Sequence, residues 1–225
     1  MSTVITNNYI EILAAMPLID IPSRIVSPNA DLAIWQVDED EDVLLDLCQS
    51  CGVDTDTFLN TKLAKRRIEL LAEHLLLHAL NGSVSPISHT PTGAPYIADS
   101  TLNISISHTR GYVAMAISRR CIGIDIEHFS DKVLRVRQKF LNEAEARHIE
   151  VDNVALNIAA WTAKEALYKA VLTPGINLSH HIPIDAQAIA GNGKWVSTVC
   201  GKRFDVSTHI AADYAISLAI ENTLQ

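Results

Sequence analysis

The sequence predicts an α+β fold made of two similar halves, each packing an antiparallel sheet on one long helix. In both halves a strand is followed by a long amphipathic helix and then by a hairpin rich in apolar residues. Ser107-His108 precedes one apolar strand and Thr208-His209 precedes another, as a repeat would require. Two amphipathic hairpins also look alike by chance, so the residues alone leave both possibilities open.

The first half, residues 1–118, contains a predicted strand, a predicted long helix and a predicted hairpin. Residues 32–37 form an apolar run typical of a strand, and residues 61–80 place leucines at helical spacing. The hairpin covers residues 96–118 and turns at residues 109–111, where a glycine is available.

The second half, residues 119–225, repeats that order and adds strands. Residues 121–127 predict a strand, residues 142–150 a short helix, and residues 154–172 a long helix that ends before Pro174. Further strands are predicted at residues 184–189, 194–199, 202–207 and 214–220.

Two segments of the second half contain three carboxylates between them. Asp125 and Glu127 are two positions apart on a predicted strand, so their side chains project from the same face. Glu165 and Lys169 are four positions apart on the long helix and are therefore neighbours on its surface. Each segment by itself is more often a solvated strand or helix face than a functional site.

Together these segments indicate metal and phosphate chemistry. Three carboxylates bring more negative charge than a buried site tolerates without a cation, and oxygen ligands suit Mg²⁺. Lys164 and Lys169 could then neutralise the oxygens of a phosphate ester. The same carboxylates could also serve a metal-dependent hydrolase of a nucleotide pyrophosphate, so the reaction type stays open at this level.

The order and spacing of these motifs resemble the surfactin-type (Sfp-type) 4′-phosphopantetheinyl transferases. Ser107-His108 lies upstream of the acidic strand, and Phe140 to Glu145 lies between the two acidic motifs, as similar segments do in that family. The main matching residues are Gly123, Asp125, Glu127, Trp161, Lys164, Glu165 and Lys169.

The resemblance implies a monomer of two pseudo-twofold-related halves, residues 1–118 and 119–225, with coenzyme A bound in the cleft between them. It implies Mg²⁺-dependent transfer of the 4′-phosphopantetheine group to a serine of an apo acyl or peptidyl carrier protein. Adenosine 3′,5′-bisphosphate would be released. A non-catalytic module that binds coenzyme A or zinc is a further alternative.

Roles for individual residues follow from the same resemblance. Asp125, Glu127 and Glu165 would bind the metal, and Glu165 would also deprotonate the carrier serine, directly or through water. Lys164 and Lys169 would hold the pyrophosphate, and Lys169 would also assist the leaving group. Ser107 and His108 would bind the phosphates of coenzyme A.

One departure from the family concerns the nucleotide end of the site. Many relatives have Gly-Lys-Pro before the Ser-His motif, and their lysine helps to hold the 3′-phosphate. This chain has Gly93-Ala94-Pro95 at that place. Arg66 or Arg67 on the first long helix could supply the missing charge, and a solvated helix face is the alternative interpretation of both.

The charge distribution argues against nucleic acid as a partner. The net charge is −8, whereas nucleic-acid binding depends on clustered basic residues. Residues 1–118 contain 6 basic and 14 acidic side chains, and residues 119–225 contain 12 of each. Much of the excess acid lies at residues 38–42, a run typical of a solvated loop or a helix start.

A cytoplasmic location is the expectation from the N-terminal residues. No basic residue precedes Arg24, and Pro17 and Asp20 interrupt the apolar stretch, so no secretory signal is predicted. No apolar run reaches the length of a transmembrane helix.

Four cysteines raise the question of a zinc site. Cys48 and Cys51 have metal-ligand spacing, and His74 and His78 are four positions apart on a predicted helix. The gap between the two pairs is longer than in the usual zinc finger, and the leucines beside His74 favour a packed core. Reduced thiols are therefore expected.

Overall fold

A computed structural model describes residues 18–23, 25–98 and 100–223. Its strands are β1 (Asp31–Gln36), β2 (Ile87–His89), β3 (Pro95–Ile97), β4 (Asn103–Thr109), β5 (Tyr112–Ser118), β6 (Ile122–His128), β7 (Lys194–Val199), β8 (Lys202–Ile210) and β9 (Tyr214–Glu221). Its helices are α1 (Glu41–Cys51), α2 (Asp56–Leu59), α3 (Ala64–Asn81), α4 (Lys132–Phe140), α5 (Glu143–Ala146), α6 (Val154–Val171), α7 (Leu178–His181) and α8 (Ala186–Ala190).

The strands form two main antiparallel sheets and a small hairpin. The first sheet has the order β1-β5-β4, the second has the order β6-β9-β8-β7, and β2 pairs with β3. Helix α3 packs on the first sheet and helix α6 packs on the second. These findings confirm the predicted combination of antiparallel sheets and helices.

Apolar side chains fill the space on both faces of each sheet. Leu75 of α3 is buried with Trp35 of the first sheet, and Ala166 of α6 is buried with residues of the second sheet. A further apolar layer joins the sheets to each other and includes Ile34 of β1 and Ile124 of β6. Burial on both faces explains why β5 and β9 are nearly continuous apolar runs.

One predicted strand is replaced by a helix in the structure. The strand predicted at residues 184–189 is wrong, because this segment contains helix α8. Asp185 caps that helix by accepting a hydrogen bond from the Ala188 N–H at 2.9 Å, which favours helix over strand. The acidic run at residues 38–42 leads into helix α1, which starts at Glu41, in agreement with the helix start that is one of its two predicted interpretations.

No helix within the described ranges has the length and apolar character needed to cross a membrane. The expectation that the chain lacks a secretory signal concerns mainly residues 1–17, which lie outside the described residues.

Two of the residues considered for a zinc site have other contacts. The Cys48 thiol is buried, donates to the Leu71 carbonyl at 3.7 Å, and has its pKa raised to about 12 by burial. His74 uses both ring nitrogens, since Nδ1 lies 2.8 Å from the Leu70 carbonyl and Nε2 accepts from the Ile87 N–H at 3.1 Å. These contacts give both side chains a role in packing α3.

Strand β6 and helix α6 approach each other most closely at Gly123. A Cβ atom on Gly123 would lie 1.9 Å from the Ala166 carbonyl oxygen and 2.7 Å from the Ala170 nitrogen. Only glycine leaves room for this contact. Because Ala166 follows Glu165 directly, the contact also sets the distance between Glu165 and the acidic residues of β6.

We expect Gly123→Ala to destabilise the protein by about 3 kcal/mol or more, because helix and strand must separate to admit the methyl group. Gly191→Ala is the matched control: Gly191 has a φ of −85°, and its nearest atom to an added Cβ is 3.6 Å away. The control should change stability by less than about 1 kcal/mol. Urea unfolding measures both, and equal effects would contradict the close contact.

Candidate active site

Strands β4 and β6 belong to different sheets and are joined by side-chain hydroxyl groups. Backbone N–H groups of β6 donate to hydroxyl oxygens of β4, at distances of 3.0 to 3.2 Å. The three accepting residues alternate along β4 and therefore share one face. We call this line of contacts between β4 and β6 the seam. Its three donor–acceptor pairs are Ile124 to Ser105, Ile126 to Ser107, and His128 to Thr109.

Two of these hydroxyls also orient the carboxylates of β6. Ser107 Oγ donates to Asp125 Oδ1 at 2.8 Å, and Thr109 Oγ1 donates to Glu127 Oε2 at 2.9 Å. A hydroxyl has one hydrogen to donate and lone pairs to accept, so each group makes both contacts at once. The first sheet thus supplies hydrogen bonds to the acidic residues of the second.

Helix α6 adds a carboxylate and an ammonium group to this place. Lys169 Nζ donates to Asp125 Oδ1 at 2.8 Å and to the carbonyl oxygens of Ile106 and Ile124 at 3.2 and 3.1 Å. Glu165 is half-buried, and its pKa is raised to about 7, first by burial and then by the negative charge of Asp125. Asp125 and Glu165 therefore lie close enough for the charge of one to raise the pKa of the other.

The two carboxylates of β6 are also held in an unfavourable environment. Burial raises the pKa of Asp125 in spite of Lys169 and Ser107, and burial together with Asp125 raises the pKa of Glu127. Asp125 Oδ2 is buried and has no hydrogen-bond partner among the residues that the structure describes. A buried carboxylate oxygen without a partner is costly unless a cation or donor reaches it.

This donor set fits a hard divalent cation such as Mg²⁺. Asp125, Glu127 and Glu165 offer oxygen ligands only, which is the preference of Mg²⁺. Within the described ranges no three histidine, cysteine or carboxylate side chains converge closely enough to hold a metal by themselves. Mg²⁺ commonly completes its coordination with water and phosphate oxygens, so an open arrangement is compatible with it.

Two cavities adjoin the seam between β4 and β6. The larger, of about 350 Å³, is lined by Glu127, Trp161 and Lys132, among others. The smaller, of about 50 Å³, is lined by His108 and Lys65, among others. A third cavity of about 350 Å³ lies against β7, away from the candidate residues described above.

A buried carboxylate of helix α3 joins two basic residues beside the smaller cavity. Glu73 is only 1% exposed, and its Oε1 lies 2.8 Å from His108 Nε2 and 2.9 Å from Arg66 Nη1. Although burial by itself raises the pKa of Glu73, its contacts with His108 and Arg66 lower that pKa below the ordinary value. The three side chains form a hydrogen-bonded cluster at the end of β4.

Residues 121–219 match the family model described as the 4′-phosphopantetheinyl transferase superfamily. This chain therefore resembles that superfamily over somewhat less than half of its length. It is also 32% identical, over 124 residues, to the 4′-phosphopantetheinyl transferase gsp of Aneurinibacillus migulanus. That match covers 51% of this chain and 51% of the relative, so it spans about half the length of each protein. The family predicted from the motifs is confirmed.

The structure does not bring Lys164 to the acidic site. This side chain is fully buried, and its Nζ lies 2.8 Å from Glu145 Oε2. It also donates to the carbonyl oxygens of Leu178 at 3.0 Å and Ile182 at 2.7 Å. Its ammonium group is enclosed by α5 and the α7 segment, whereas Lys169 faces β4 and β6, so the expected contact of Lys164 with the pyrophosphate gains no support from these surroundings.

Three residues predicted for the nucleotide end have different surroundings from those expected. The Ser107 hydroxyl is buried and donates its one hydrogen to Asp125. Arg67 donates to both carboxylate oxygens of Glu41 at 2.6 and 2.8 Å and thereby ties α3 to α1. Gly93 is exposed in the turn between β2 and β3 and lines neither cavity beside the seam.

Sequence reasoning missed Thr109 and Glu73 as members of the site. Thr109 follows the Ser107 position by two residues on the same strand, so its side chain had to share that face. Glu73 stands out as an acidic residue within the apolar part of α3. Both signals were present, but neither identifies the partner.

We expect Lys164→Met to lower the free energy of unfolding by about 3–5 kcal/mol, because Glu145 would remain as a buried charge without its partner. Lys65→Met is the control, since Lys65 is exposed and pairs with its helix neighbour Glu69. Its effect should stay below about 1 kcal/mol. Urea unfolding tests this, and a stable Lys164→Met protein would mean that the buried pair contributes little.

Proposed function

We propose that the protein transfers the 4′-phosphopantetheine group of coenzyme A to a serine of an apo acyl or peptidyl carrier protein. Adenosine 3′,5′-bisphosphate is the other product. The observation that carries the proposal is the meeting of Asp125, Glu127, Glu165 and Lys169 at the seam, within the segment that matches the superfamily model. The relative from Aneurinibacillus migulanus is named a 4′-phosphopantetheinyl transferase, and the proposal applies that activity to this chain.

In this proposal Asp125, Glu127 and Glu165 hold Mg²⁺ beside the pyrophosphate of coenzyme A. When bound, the ion would supply positive charge that offsets the negative charge of the pyrophosphate. Asp125 Oδ2, which is buried and without a partner in the described part of the chain, supports this assignment. A cation is the partner that such a carboxylate oxygen most needs.

The protein's own side chains move the proton and balance the charge. Glu165 has a pKa of about 7, so its carboxylate is suited to accept the proton of the carrier serine near neutral pH, directly or through water. Lys169 is placed beside Asp125 and stabilises negative charge on the pyrophosphate and on the leaving group. Both act by position and electrostatics rather than by forming a covalent bond.

The nucleotide end of coenzyme A lies against the first half of the chain in this proposal. His108 and Arg66 share Glu73 and border the place where the 3′-phosphate would bind. Many relatives supply a positive charge here with a lysine at the position of Ala94. In this chain Arg66 is the better candidate for supplying that charge. Its neighbour Arg67 is already bonded to Glu41 and to the carbonyl of Thr61.

The division at residue 118 and the pseudo-twofold relation of the halves are also part of the proposal. Each half contributes one sheet with a long helix on its outer face, which supports an ancient repeat. The site then lies between the halves, with the acidic residues on one side and the cluster of Glu73 on the other. A single chain provides both sides, which is consistent with a monomer.

Mass spectrometry of apo carrier proteins incubated with the enzyme, coenzyme A and Mg²⁺ tests the reaction. The expected result is a carrier whose mass increases by one phosphopantetheine group, on serine. Hydrolysis of coenzyme A without modification of any carrier would instead support the alternative of a metal-dependent pyrophosphate hydrolase. Tight binding of coenzyme A without turnover would support a non-catalytic module.

We expect Asp125→Asn to lower kcat/KM at least about 100-fold, because the substitution removes the charge of a carboxylate that is both a proposed metal ligand and the partner of Lys169. Carrier modification followed by mass spectrometry measures the rate. EDTA should abolish the activity of the unmodified protein, and added Mg²⁺ should restore it. Activity of Asp125→Asn that persists in EDTA would contradict the metal site.

We expect Arg66→Ala to raise the KM for coenzyme A by about 10- to 100-fold, the effect of losing a charge-assisted hydrogen bond to phosphate. The KM for 3′-dephospho-coenzyme A should change little. Arg67→Ala is the matched control: it should reduce stability and leave the preference between the two substrates unchanged. An equal change of KM for both substrates in Arg66→Ala would remove Arg66 from the 3′-phosphate site.

A further inference from the structure

We propose that Ser107 and Thr109 are positioning residues for the metal site, so that the first sheet orients the ligands provided by the second. This inference rests on the proposed function, because it concerns the same carboxylates. It goes beyond that function by assigning the orientation of the carboxylates to hydroxyl groups of the neighbouring sheet, which hydrogen-bond to Asp125, Glu127 and the backbone of β6.

The three hydroxyls of the seam have one common task. Each accepts a hydrogen bond from a backbone N–H of β6, at distances of 3.0, 3.2 and 3.2 Å for Ser105, Ser107 and Thr109. In an ordinary sheet a backbone carbonyl would accept these bonds. All three residues therefore contribute to joining the two sheets.

Two of them have a second task. The β6 residues that precede the three donors are Gly123, Asp125 and Glu127. Ser105 faces the glycine, which has no side chain to accept its hydroxyl hydrogen. Ser107 and Thr109 face carboxylates and donate their single hydroxyl hydrogen to them. The chain thus contains its own control, because Ser105 shares the structural contact and faces no carboxylate on β6.

The contact with Ser107 selects which oxygen of Asp125 is free. Oδ1 accepts from Ser107 at 2.8 Å and from Lys169 at 2.8 Å, while Oδ2 is buried and has no partner within the described ranges. The hydroxyl therefore keeps one oxygen occupied and presents the other to a cation. Thr109 restrains Glu127 in the same way through Oε2.

Such contacts matter because a carboxylate that is free to rotate loses orientation entropy when it binds a metal. Hydrogen bonds from groups around a metal site hold its ligands in place, and removing one typically weakens metal binding about 10- to 100-fold. The site should therefore bind metal well only when β4 and β6 are correctly paired. Docking of the sheets and assembly of the site become one event.

The test is a titration with Mn²⁺, used as a paramagnetic substitute for Mg²⁺, in the presence of coenzyme A and with free Mn²⁺ detected by electron paramagnetic resonance. The variants are Ser107→Ala, Thr109→Val and Ser105→Ala in the full chain. We expect the first two to weaken Mn²⁺ binding about 10- to 100-fold and Ser105→Ala to change it less than about threefold. Thr109→Ser keeps the hydroxyl and should bind nearly as well as the unmodified protein.

Two further measurements distinguish positioning from misfolding and from a direct contact with phosphate. Urea unfolding without metal reports the loss of the seam hydrogen bond in each variant, so variants that fail to fold are recognised directly. Coenzyme A affinity in EDTA should be unchanged in Ser107→Ala, whereas a direct contact of Ser107 with a phosphate would weaken it.

Equal weakening of Mn²⁺ binding by all three substitutions, or by none, would overturn the positioning role and leave the proposed function intact. Loss of coenzyme A affinity in EDTA in Ser107→Ala would also overturn it. Failure of the unmodified protein to bind Mn²⁺ even with coenzyme A would instead overturn the metal site itself, and with it the proposed function.

Discussion

Three backbone N–H groups of β6 donate to hydroxyl oxygens of β4, and along this line two separate sheets meet. A continuous sheet would use carbonyl oxygens for the same bonds and leave the side chains uncommitted. Here the hydroxyls are drawn into the seam, and two of them reach the carboxylates of Asp125 and Glu127. The join between the sheets and the acidic site consequently share the same atoms, so that forming one assembles the other.

The acidic site also requires helix α6 to pack closely on β6, and Gly123 makes this packing possible. With no Cβ at this position, the helix backbone contacts the strand directly, and Glu165 and Lys169 come within electrostatic reach of Asp125. Desolvation raises the pKa values of Asp125, Glu127 and Glu165, and the charge of Asp125 raises the last two further. One lysine is insufficient to neutralise three carboxylates, which makes the site receptive to a divalent cation.

Charged residues are buried in two different ways in this protein. Lys164 is fully enclosed and has a carboxylate and two carbonyl oxygens as partners, so its charge is compensated and serves to hold α5, α6 and α7 together. Asp125 and Glu73 are compensated in part, because each has one carboxylate oxygen without a partner among the described residues. The closed pair contributes to structure, whereas the open carboxylates border the two regions assigned to metal and nucleotide.

Local periodicity and motif spacing determined that Asp125 and Glu127 share a face, that Glu165 and Lys169 are helix neighbours, and which superfamily the chain resembles. These features reside in consecutive or closely spaced residues, so no tertiary contact is needed to recognise them. Periodicity could not decide between neighbours such as Lys164 and Glu165, whose side chains leave a helix about 100° apart. The packing of the whole helix decides which of the two faces the site. The partners of Ser107 and Thr109 were likewise beyond the sequence, since they depend on the register between two sheets, which arises from the packing of their apolar faces.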